Sequence, residues 1–298
     1  MPPLLARARR LLVTGALILA LLVLAGATYQ GAATALERRH FPHPGRLIDV
    51  GGHQLHLYCI GRGTPAVVLE APATGMSAAW GWVQPDVARV TRVCAYDRAG
   101  LGWSESGRDY EPAAVPSELH ALLKGAGERG PYVVAGQGLG AALARLYAAN
   151  FGSEVAALVL VDPPATGGGP QRTTTTRFLN ASPWLARTGV LRATRMMSSN
   201  ASGLPDVSAG PLSAFLNRPD HLTRAAAELE RWDEAVELAA RAALSPGIQV
   251  ANVSAASSGP TALLTDQARG TAVAAAITAA VEHARARAGS SDDPTHLP

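Results

Sequence analysis

The first hydrophobic pattern in the chain is a run of 19 uncharged residues from Leu11 to Tyr29, "LLVTGALILALLVLAGATY". Three arginines stand just before it, within residues 1–10. A helix of about 20 apolar residues is long enough to cross the hydrocarbon core of a bilayer, and flanking arginines favour the cytoplasmic side. The pattern therefore predicts a basic cytoplasmic N-terminus over 1–10 and a transmembrane signal anchor over 11–29, with the rest of the chain outside the cytoplasm.

The same run has two other interpretations. The small residues "AGA" at positions 25–27 suit a signal peptidase, so cleavage near Ala27 would release a secreted domain. A buried core helix is the third interpretation. The run is long for the apolar region of a signal peptide, so we expect the uncleaved anchor. Both the anchor and the secreted alternative place the bulk of the chain outside the cytoplasm.

Beyond a linker predicted over 30–45, short apolar runs alternate with helical patterns. "RLIDV" and "QLHLYCI" alternate apolar and polar residues around Gly51 and Gly52, which is typical of a β-hairpin. "AVVLEA", "RVCAYD", "YVVAG" and "VAALVLVD" are typical of buried strands, and the helical segment "LARLYAANF" separates the last two. Strands that alternate with helices predict an α/β fold over 46–288, with a mostly parallel sheet and helices on both faces.

The alternation is lost between about 163 and 217, where we predict a lid inserted above the sheet. Within it, "PWLARTGVLRATRMM" has the spacing of a short amphipathic helix with arginines on one side. These arginines could meet anionic lipid, but a solvated helix face is the preferred interpretation. The final segment, 289–298, is polar and is predicted to be a disordered tail.

Composition and charge exclude some partners. Hydrophobic residues make up 48% of the 298 residues and charged residues 16%, which suits a globular core. The net charge of +3 comes from arginines dispersed along the chain, with no basic stripe beside aromatic residues, so we expect no nucleic-acid partner. Cys59 and Cys94 are too few for a zinc site, and they could form one disulfide in an exported protein or remain buried thiols.

The turn "GQGLGAA" follows a predicted strand and begins a predicted helix, so its glycines are candidate functional positions. Gly136, Gly138 and Ala141 fit the G-x-G-x-x-A fingerprint of dinucleotide binding, and Asp162 follows about 20 residues later, where an acid holds a ribose hydroxyl. That fingerprint normally begins a nucleotide-binding domain, whereas several predicted strands precede this turn. Dinucleotide binding is therefore the less favoured interpretation.

Three segments indicate a different relationship: "RLIDVGGHQLHLYCIGRGTPAVVLEA", "RVCAYDRAGLGWSESG" and "ARLYAANFGSEVAALVLVD". From Arg46 to Arg285 the chain resembles the α/β-hydrolase fold family. The resemblance implies that the turn after the fifth strand holds a serine nucleophile in the pattern G-x-S-x-G. Here the turn is "GQGLG", and Gly138 stands in the serine's position. In relatives the two cysteine positions lie on adjacent strands, which favours a disulfide between Cys59 and Cys94.

The resemblance also implies positions for the remaining catalytic groups. The family's histidine follows the last strand in the pattern Ser-Gly-His, but here "SSGPT" places Pro260 at that point, and proline cannot accept a proton. Asp162 is a candidate acid with no serine or histidine to orient. Two backbone NH groups, at Ala73 and Leu139, would form the oxyanion hole or hold a ligand. No metal site is indicated.

These patterns predict a membrane-anchored α/β-hydrolase-family protein that has lost its triad and acts, without a cofactor, by binding a small ligand or a partner. Glycine has no side-chain oxygen with which to attack a carbonyl, so Gly138 removes the nucleophile. The alternative is an active esterase-like hydrolase that uses another nucleophile, such as a serine of the lid. Dinucleotide binding at the glycine turn is the third hypothesis.

We predict that the mature protein keeps residues 11–29. The run is long and follows arginines, so the segment should remain in the membrane as an anchor. N-terminal sequencing of the protein recovered from membranes tests this expectation. A mature chain that begins at Thr28 would show that a signal peptidase removes the segment and that the domain is secreted.

Overall fold

The computed structural model describes residues 3–167, 174–254 and 262–291 and is built around a seven-stranded sheet. The strands are β1 (Arg46–Asp49), β2 (Gln54–Ile60), β3 (Ala66–Glu70), β4 (Val93–Tyr96), β5 (Tyr132–Gln137), β6 (Val155–Val161) and β7 (Gln249–Val253). Their order across the sheet is β1-β2-β4-β3-β5-β6-β7. The pairs β1–β2 and β2–β4 are antiparallel, and the other neighbours are parallel.

The α-helices of the described residues connect and cover these strands. They are α1 (Pro3–His40), α2 (Val83–Val87), α3 (Val115–Ala126), α4 (Leu139–Asn150), α5 (Thr174–Arg187), α6 (Val190–Thr194), α7 (Asp206–Phe215), α8 (Pro219–Glu230), α9 (Trp232–Arg241), α10 (Ala262–Thr265) and α11 (Gln267–Ser291). Short 3-10 helices lie over Ser77–Trp80, Gly152–Glu154 and Ser198–Ala201.

Helices pack on both faces of the sheet, as the sequence predicted. On one face, Val67 and Leu69 of β3 belong to the apolar cluster that contains Ile277 of α11. On the other face, Val68 belongs to the cluster that contains Leu122 of α3. Successive side chains of a strand point to opposite faces, so a strand covered on both faces must be apolar throughout. The prediction of a mostly parallel α/β sheet is confirmed.

β1 and β2 form the predicted hairpin. Asp49 pairs with Gln54 at its end, and the Asp49 carboxylate accepts hydrogen bonds from the NH groups of Gly51 at 2.8 Å and Gly52 at 3.1 Å. Both glycines have a positive φ, of 104° and 113°. Glycine adopts such angles without steric strain, which is why this pair of residues can close the turn.

The hairpin is joined covalently to the rest of the sheet. Cys59 of β2 and Cys94 of β4 stand opposite each other and form a disulfide. Neither cysteine is a free thiol. A bond of this kind limits the conformations of the unfolded chain and so favours the folded state.

The described residues between β6 and β7, here called the lid, are mostly helical, and their helices continue past 217. Between 163 and 217 the lid contains α5, α6 and α7, and it has an apolar cluster of its own in which Leu191 and Phe215 meet Met76. Beyond 217, α8 packs against α5, and α9 packs against α4. The chain breaks at Arg231 between α8 and α9, so these two helices cover different surfaces.

Both ends of the chain are more helical than the sequence indicated. The segment 30–45, expected to be a linker, is helical as far as His40. The helix continues because polar side chains in it bond to the lid; the Gln30 amide, for example, donates to the carbonyl of Asn217 at 2.8 Å. At the other end, α11 runs to Ser291, and residues 292–298 of the expected tail lie outside the described residues.

A buried carboxylate, Asp97, holds together the segments that follow β3 and β4. It accepts hydrogen bonds from the NH of Ser77 at 2.6 Å and the NH of Trp103 at 2.9 Å, and it lies 3.0 Å from Nδ1 of His56. Burial raises the pKa of Asp97, but its interaction with His56 and these hydrogen bonds together outweigh burial and leave the pKa below its usual value of 3.8. Asp97 is therefore ionised at neutral pH.

We predict that Asp97→Asn lowers the free energy of unfolding by about 3–5 kcal/mol, because buried NH groups and His56 lose their charged acceptor. The folded pKa of Asp97 is lowered, so this stabilisation is present above the unfolded pKa near 3.8 and is lost as the pH falls through the folded pKa. Urea denaturation of the full chain in detergent, from neutral to acid pH, measures both effects.

The control for this prediction is Asp86→Asn, which removes a surface pair with the exposed Arg89. Exposed pairs contribute little, so its effect should stay below about 1 kcal/mol at every pH. Equal losses in the two variants would contradict the role assigned to Asp97.

Candidate functional site

The glycine turn forms a sharp elbow between a strand and a helix. β5 ends at Gln137, α4 begins at Leu139, and Gly138 alone connects them with φ 55° and ψ −120°. A positive φ strains residues that have a side chain, so glycine suits the backbone of this position. The NH of Gly138 donates to the carbonyl of Val161 at 2.9 Å, which ties the elbow to the end of β6.

The three glycines of the turn are not equivalent. A Cβ at Gly136 would lie 2.2 Å from the carbonyl oxygen of Gly140, and a Cβ at Gly140 would lie 2.4 Å from that of Ala71. Backbone atoms therefore leave no room for a side chain at these two positions. At Gly138, beyond the adjacent residues, an added Cβ would meet Cη2 of Trp232 at 4.0 Å. Only the middle position of the turn has space for a side chain.

The loop over residues 71–75, here called the oxyanion loop, lies beside the elbow. The close approach of Gly140 to Ala71 brings the first turn of α4 against the start of this loop. Ala73 packs against the apolar cluster that contains Leu139. The NH groups of Ala73 and Leu139 donate no hydrogen bond to another residue in the described part of the chain. The two predicted oxyanion donors thus lie on neighbouring segments with hydrogen-bonding capacity left for a ligand.

Arg98 holds the oxyanion loop in place. Its buried guanidinium donates to the carbonyls of Ala71 at 2.7 Å and Pro72 at 3.0 Å. It also donates to the Glu70 carboxylate at 2.6 Å and, through two nitrogens, to Glu228 at 2.7 and 2.8 Å. All five donors of the guanidinium are therefore engaged. Because Glu70 ends β3 and Glu228 lies on α8, the one side chain joins the sheet, the loop and the lid.

Two carboxylates share this one buried cation. Burial raises the pKa of Glu70, and the charge of Arg98 together with the hydrogen bond from the Tyr96 hydroxyl lowers it only in part. Burial also disfavours the charge on Arg98, but the carboxylates outweigh this effect and raise the pKa of its guanidinium. Arg98 therefore stays charged, while Glu70 keeps a proton to a higher pH than an exposed glutamate does.

The sequence pattern of the alpha/beta hydrolase fold family matches residues 65–233, a segment that contains the elbow, the oxyanion loop and most of the lid. That segment is more than half of the chain. The chain belongs to the alpha/beta hydrolase fold family. This confirms the family and the fold that the sequence motifs implied.

Individual members of the family match parts of the chain. The 2-hydroxy-6-oxo-2,4-heptadienoate hydrolase of Pseudomonas putida is 31% identical over 121 residues, which are 39% of this chain and 44% of that protein. The chain spans less than half the length of each of three curated relatives that it matches.

Solved structures share the fold over more of the chain. Cfl2 of Burkholderia cenocepacia has a TM-score of 0.61 at 20% identity, covering 79% of this chain and 95% of that one. An esterase of Thermogutta terrifontis has a TM-score of 0.56 at 18% identity, covering 79% of this chain and 98% of that one. Likeness at these identities shows the fold alone.

His221 of α8 is a residue of this α/β-hydrolase fold protein that sequence reasoning did not single out. Its Nε2 donates to the carbonyl of Thr74 at 3.0 Å, and its Nδ1 accepts from the NH of Gly102 at 3.1 Å. Burial lowers the pKa of His221, and the bond to Thr74 opposes this effect only in part. The neutral ring therefore supports the oxyanion loop with both nitrogens engaged. The bonded residues are 147 positions apart, so no local motif marks the contact.

Trp232 and Tyr110, also missed by sequence reasoning, cover the elbow. Both pack in the apolar cluster that contains Leu139. The indole Nε1 of Trp232 and the hydroxyl of Tyr110 are buried without a hydrogen-bond partner in the residues that the structure describes. Burial raises the pKa of Tyr110, so its hydroxyl keeps the proton that it can donate. Two buried donors that lack an acceptor among the described residues therefore belong to side chains of the cluster that contains the first residue of α4.

Of the remaining predicted residues, Asp162 lies at the same edge of the sheet as the elbow. Asp162 follows Val161, whose carbonyl accepts the NH of Gly138, and it has a positive φ of 45°. The NH of Asp162 donates to the carbonyl of Val253 at 2.8 Å, which places the end of β7 beside it. Pro260 follows β7 and lies outside the described residues. Over residues 242–248, all of them described, the chain passes from α9 to β7 without a further strand.

One cluster of the described residues has the spacing of metal ligands. It consists of Cys59, Cys94 and Glu128. Its two sulfur atoms are bonded to each other in the disulfide, so the cluster offers no thiolate to a metal ion.

We predict that Arg98→Met lowers the free energy of unfolding by about 3–5 kcal/mol, because Glu70 and Glu228 would be buried without a counter-charge. The pKa of Glu70 is raised in the folded state, so protonation stabilises the folded chain as the pH falls, and that stability is lost as the pH rises through the folded pKa. The variant should therefore regain stability on acidification from neutral pH. Urea denaturation of the full chain over this range measures the effect.

Arg241→Met is the control for Arg98→Met. It removes an exposed partner of Glu237 on α9 and should change the free energy of unfolding by less than about 0.5 kcal/mol. If the loss of unfolding free energy in Arg98→Met instead grows as the pH falls, the uncompensated carboxylates are not the cause of that loss.

Proposed function

We propose that this protein is a membrane-anchored pseudo-hydrolase, which binds a small ligand or a partner at the elbow and does not hydrolyse it. The observation that carries the proposal is the glycine at position 138. The position has the strained backbone of a nucleophile elbow and space for a side chain, yet it holds the one residue that has none. Glycine can neither attack a carbonyl nor carry an acyl group.

The positions of the histidines support the same proposal. Pro260 stands in the sequence where relatives have their general base. His221 contacts the oxyanion loop, but its two nitrogens are bonded to backbone groups. His56 is buried beside Asp97. To accept a proton from a group at position 138, either of these two histidines would have to break a buried hydrogen bond.

The groups that line the elbow suit a ligand with acceptor atoms. The NH groups of Ala73 and Leu139, the hydroxyl of Tyr110 and the indole NH of Trp232 are donors without an acceptor in the described residues. Buried donors gain most from a partner with exposed lone pairs, such as a carboxylate or a carbonyl oxygen. We infer that the ligand carries such a group and that it is small, because Trp232 lies close above Gly138.

We infer that α1 anchors the protein in a membrane, with the folded domain outside the cytoplasm. Its most apolar 18-residue window has a mean hydropathy of 2.5, and none of that window is buried by the rest of the chain. A signal sequence shares these properties, and cleavage near Ala27 would give a secreted protein. An uncleaved anchor is favoured by the close contact between Gly26 and the lid, which cleavage would remove. The two backbones approach so closely that a Cβ at Gly26 would lie 2.0 Å from the carbonyl oxygen of Thr188.

The alternative function is an active esterase-like hydrolase with its nucleophile elsewhere. The names of proteins similar to this chain favour it. They include a hydrolase and an esterase. A serine of the lid would be the first candidate, and Ser208 of α7 is buried beside Gly81. Dinucleotide binding at the glycine turn is the third hypothesis. The dinucleotide fingerprint normally begins its domain, whereas here β1 to β4 precede the turn, which argues against this hypothesis.

We predict that the full chain in detergent neither reacts stoichiometrically with a fluorophosphonate probe nor hydrolyses short-chain nitrophenyl esters. Gly138→Ser restores a hydroxyl but no base, so it should remain inactive, and the strained φ should lower the free energy of unfolding by about 1–3 kcal/mol. Labelling by mass spectrometry, ester hydrolysis and urea denaturation measure these outcomes. Stoichiometric labelling with turnover of the unmodified chain would establish the esterase instead.

Binding is tested on the same preparation with a series of short carboxylates by calorimetry. Tyr110→Phe removes one hydrogen-bond donor and should weaken binding about fivefold, because one hydrogen bond contributes about 1 kcal/mol. Tyr132→Phe is the matched control at the opposite end of β5 and should bind as the unmodified chain does. Equal weakening in both variants would place the ligand away from the elbow.

A further inference from the structure

The part of α1 that follows the apolar run is fastened to the lid. The Gln30 side chain donates to the carbonyl of Asn217 at 2.8 Å and accepts from Nε of Arg192 at 2.8 Å. The guanidinium of Arg192 also pairs with Glu37, which lies about two helical turns after Gln30 on α1. Gln30 is buried, and the side chain of Arg192 is only 8% exposed. The lid and α1 are therefore held together by buried polar contacts.

The contact between α1 and the lid extends into the apolar run itself. A Cβ at Gly26 would lie 2.0 Å from the carbonyl oxygen of Thr188, and a Cβ at Gly189 would lie 2.7 Å from the carbonyl oxygen of Gly26. The backbone of the turn between α5 and α6 therefore touches α1 before the run ends at Tyr29. At a rise of about 1.5 Å per residue, this contact lies about 4–5 Å inside the end of the run. If α1 crosses a bilayer, the turn lies at the depth of the bilayer's outer boundary.

The side chains around this turn have the chemistry of that boundary. Trp184 is 71% exposed, Met196 is 53% exposed and Val190 is 45% exposed. The NH of Thr188 bonds to the carbonyl of Trp184, so Trp184 lies one helical turn from the contact with α1. The guanidinium of Arg187 lies 4.9 Å from the centre of the Trp184 ring. Tryptophan and arginine are enriched where a membrane protein meets the lipid headgroups, and exposed apolar side chains in a cluster mark a contact surface.

We propose that the lid surface formed by Trp184, Arg187, Val190 and Met196 lies in the headgroup region of the bilayer that α1 crosses, and that it favours anionic lipids. The proposal rests on the membrane anchor of the proposed function. Arginine attracts anionic headgroups, and the apolar side chains beside it enter the adjoining acyl region. The sequence pattern favoured a solvated face for the arginines of this segment. The contact at Gly26 is the reason to place them against lipid instead.

The test uses the full chain in nanodiscs whose lipids carry bromine near the headgroup end of the acyl chain, which quenches nearby tryptophan fluorescence. We expect quenching of the unmodified chain, and loss of most of it in Trp184→Phe. Trp232→Phe, which alters a tryptophan packed on the elbow, should retain the quenching. Equal quenching in the unmodified chain and Trp184→Phe would overturn the proposal.

The preference for anionic lipid is tested by adding phosphatidylserine to the phosphatidylcholine nanodiscs. Quenching of Trp184 should increase in the unmodified chain and in Arg241→Gln, whose side chain is 79% exposed on another helix. It should increase at most half as much in Arg187→Gln. The same increase in all three chains would refute the role of Arg187.

Two further measurements separate this proposal from the anchor on which it rests. Extraction of membranes with alkaline carbonate shows whether the chain is integral, and its release would refute the anchor. A chain that stays in the membrane with Trp184 unquenched would refute the lid contact alone. If Trp184 is unquenched and the nanodiscs hold the chain as a dimer, the surface is an interface between two copies rather than a lipid contact.

Discussion

The buried guanidinium of Arg98 is the interaction on which the elbow, the oxyanion loop and the lid all depend. A cation inside a protein is stable only when anions and carbonyl oxygens replace its water, and here they come from Glu70, from the oxyanion loop and from Glu228. Glu228 is 130 positions away from Arg98 on a lid helix. The lid cannot leave the sheet without exposing this charge, so the shape of the loop and the position of the lid are coupled.

Buried polar groups support the segments around position 138, which is a glycine. Asp97 holds the segments after β3 and β4 with a carboxylate whose pKa is lowered, whereas Glu70 beside Arg98 has a raised pKa. His221 adds a neutral ring bonded to the oxyanion loop. Backbone contacts leave no room for a side chain at 136 and 140, whereas position 138 has space for one and holds a glycine. A glycine at this position agrees with the proposed binding function.

The lid connects this site to α1. α5 packs against α8, which carries both Glu228 and His221, and the turn after α5 touches α1 at Gly26. Two packed helices, α5 and α8, therefore lie between α1 and the oxyanion loop. The same connection explains why the segment after the apolar run is helical, since Gln30 and Arg192 find buried partners only when the helix continues.

The sequence by itself determined the features that depend on neighbouring residues. Alternating apolar residues specified the strands, paired glycines specified the hairpin, and the turn around Gly138 specified both the elbow and its missing side chain, because each pattern acts within a few positions. The tertiary structure alone decided that Arg98 meets Glu228, that His221 reaches the oxyanion loop and that the expected linker is a helix. These contacts join residues more than a hundred positions apart, and they are favourable because buried charged and polar groups find partners there, which no local pattern specifies.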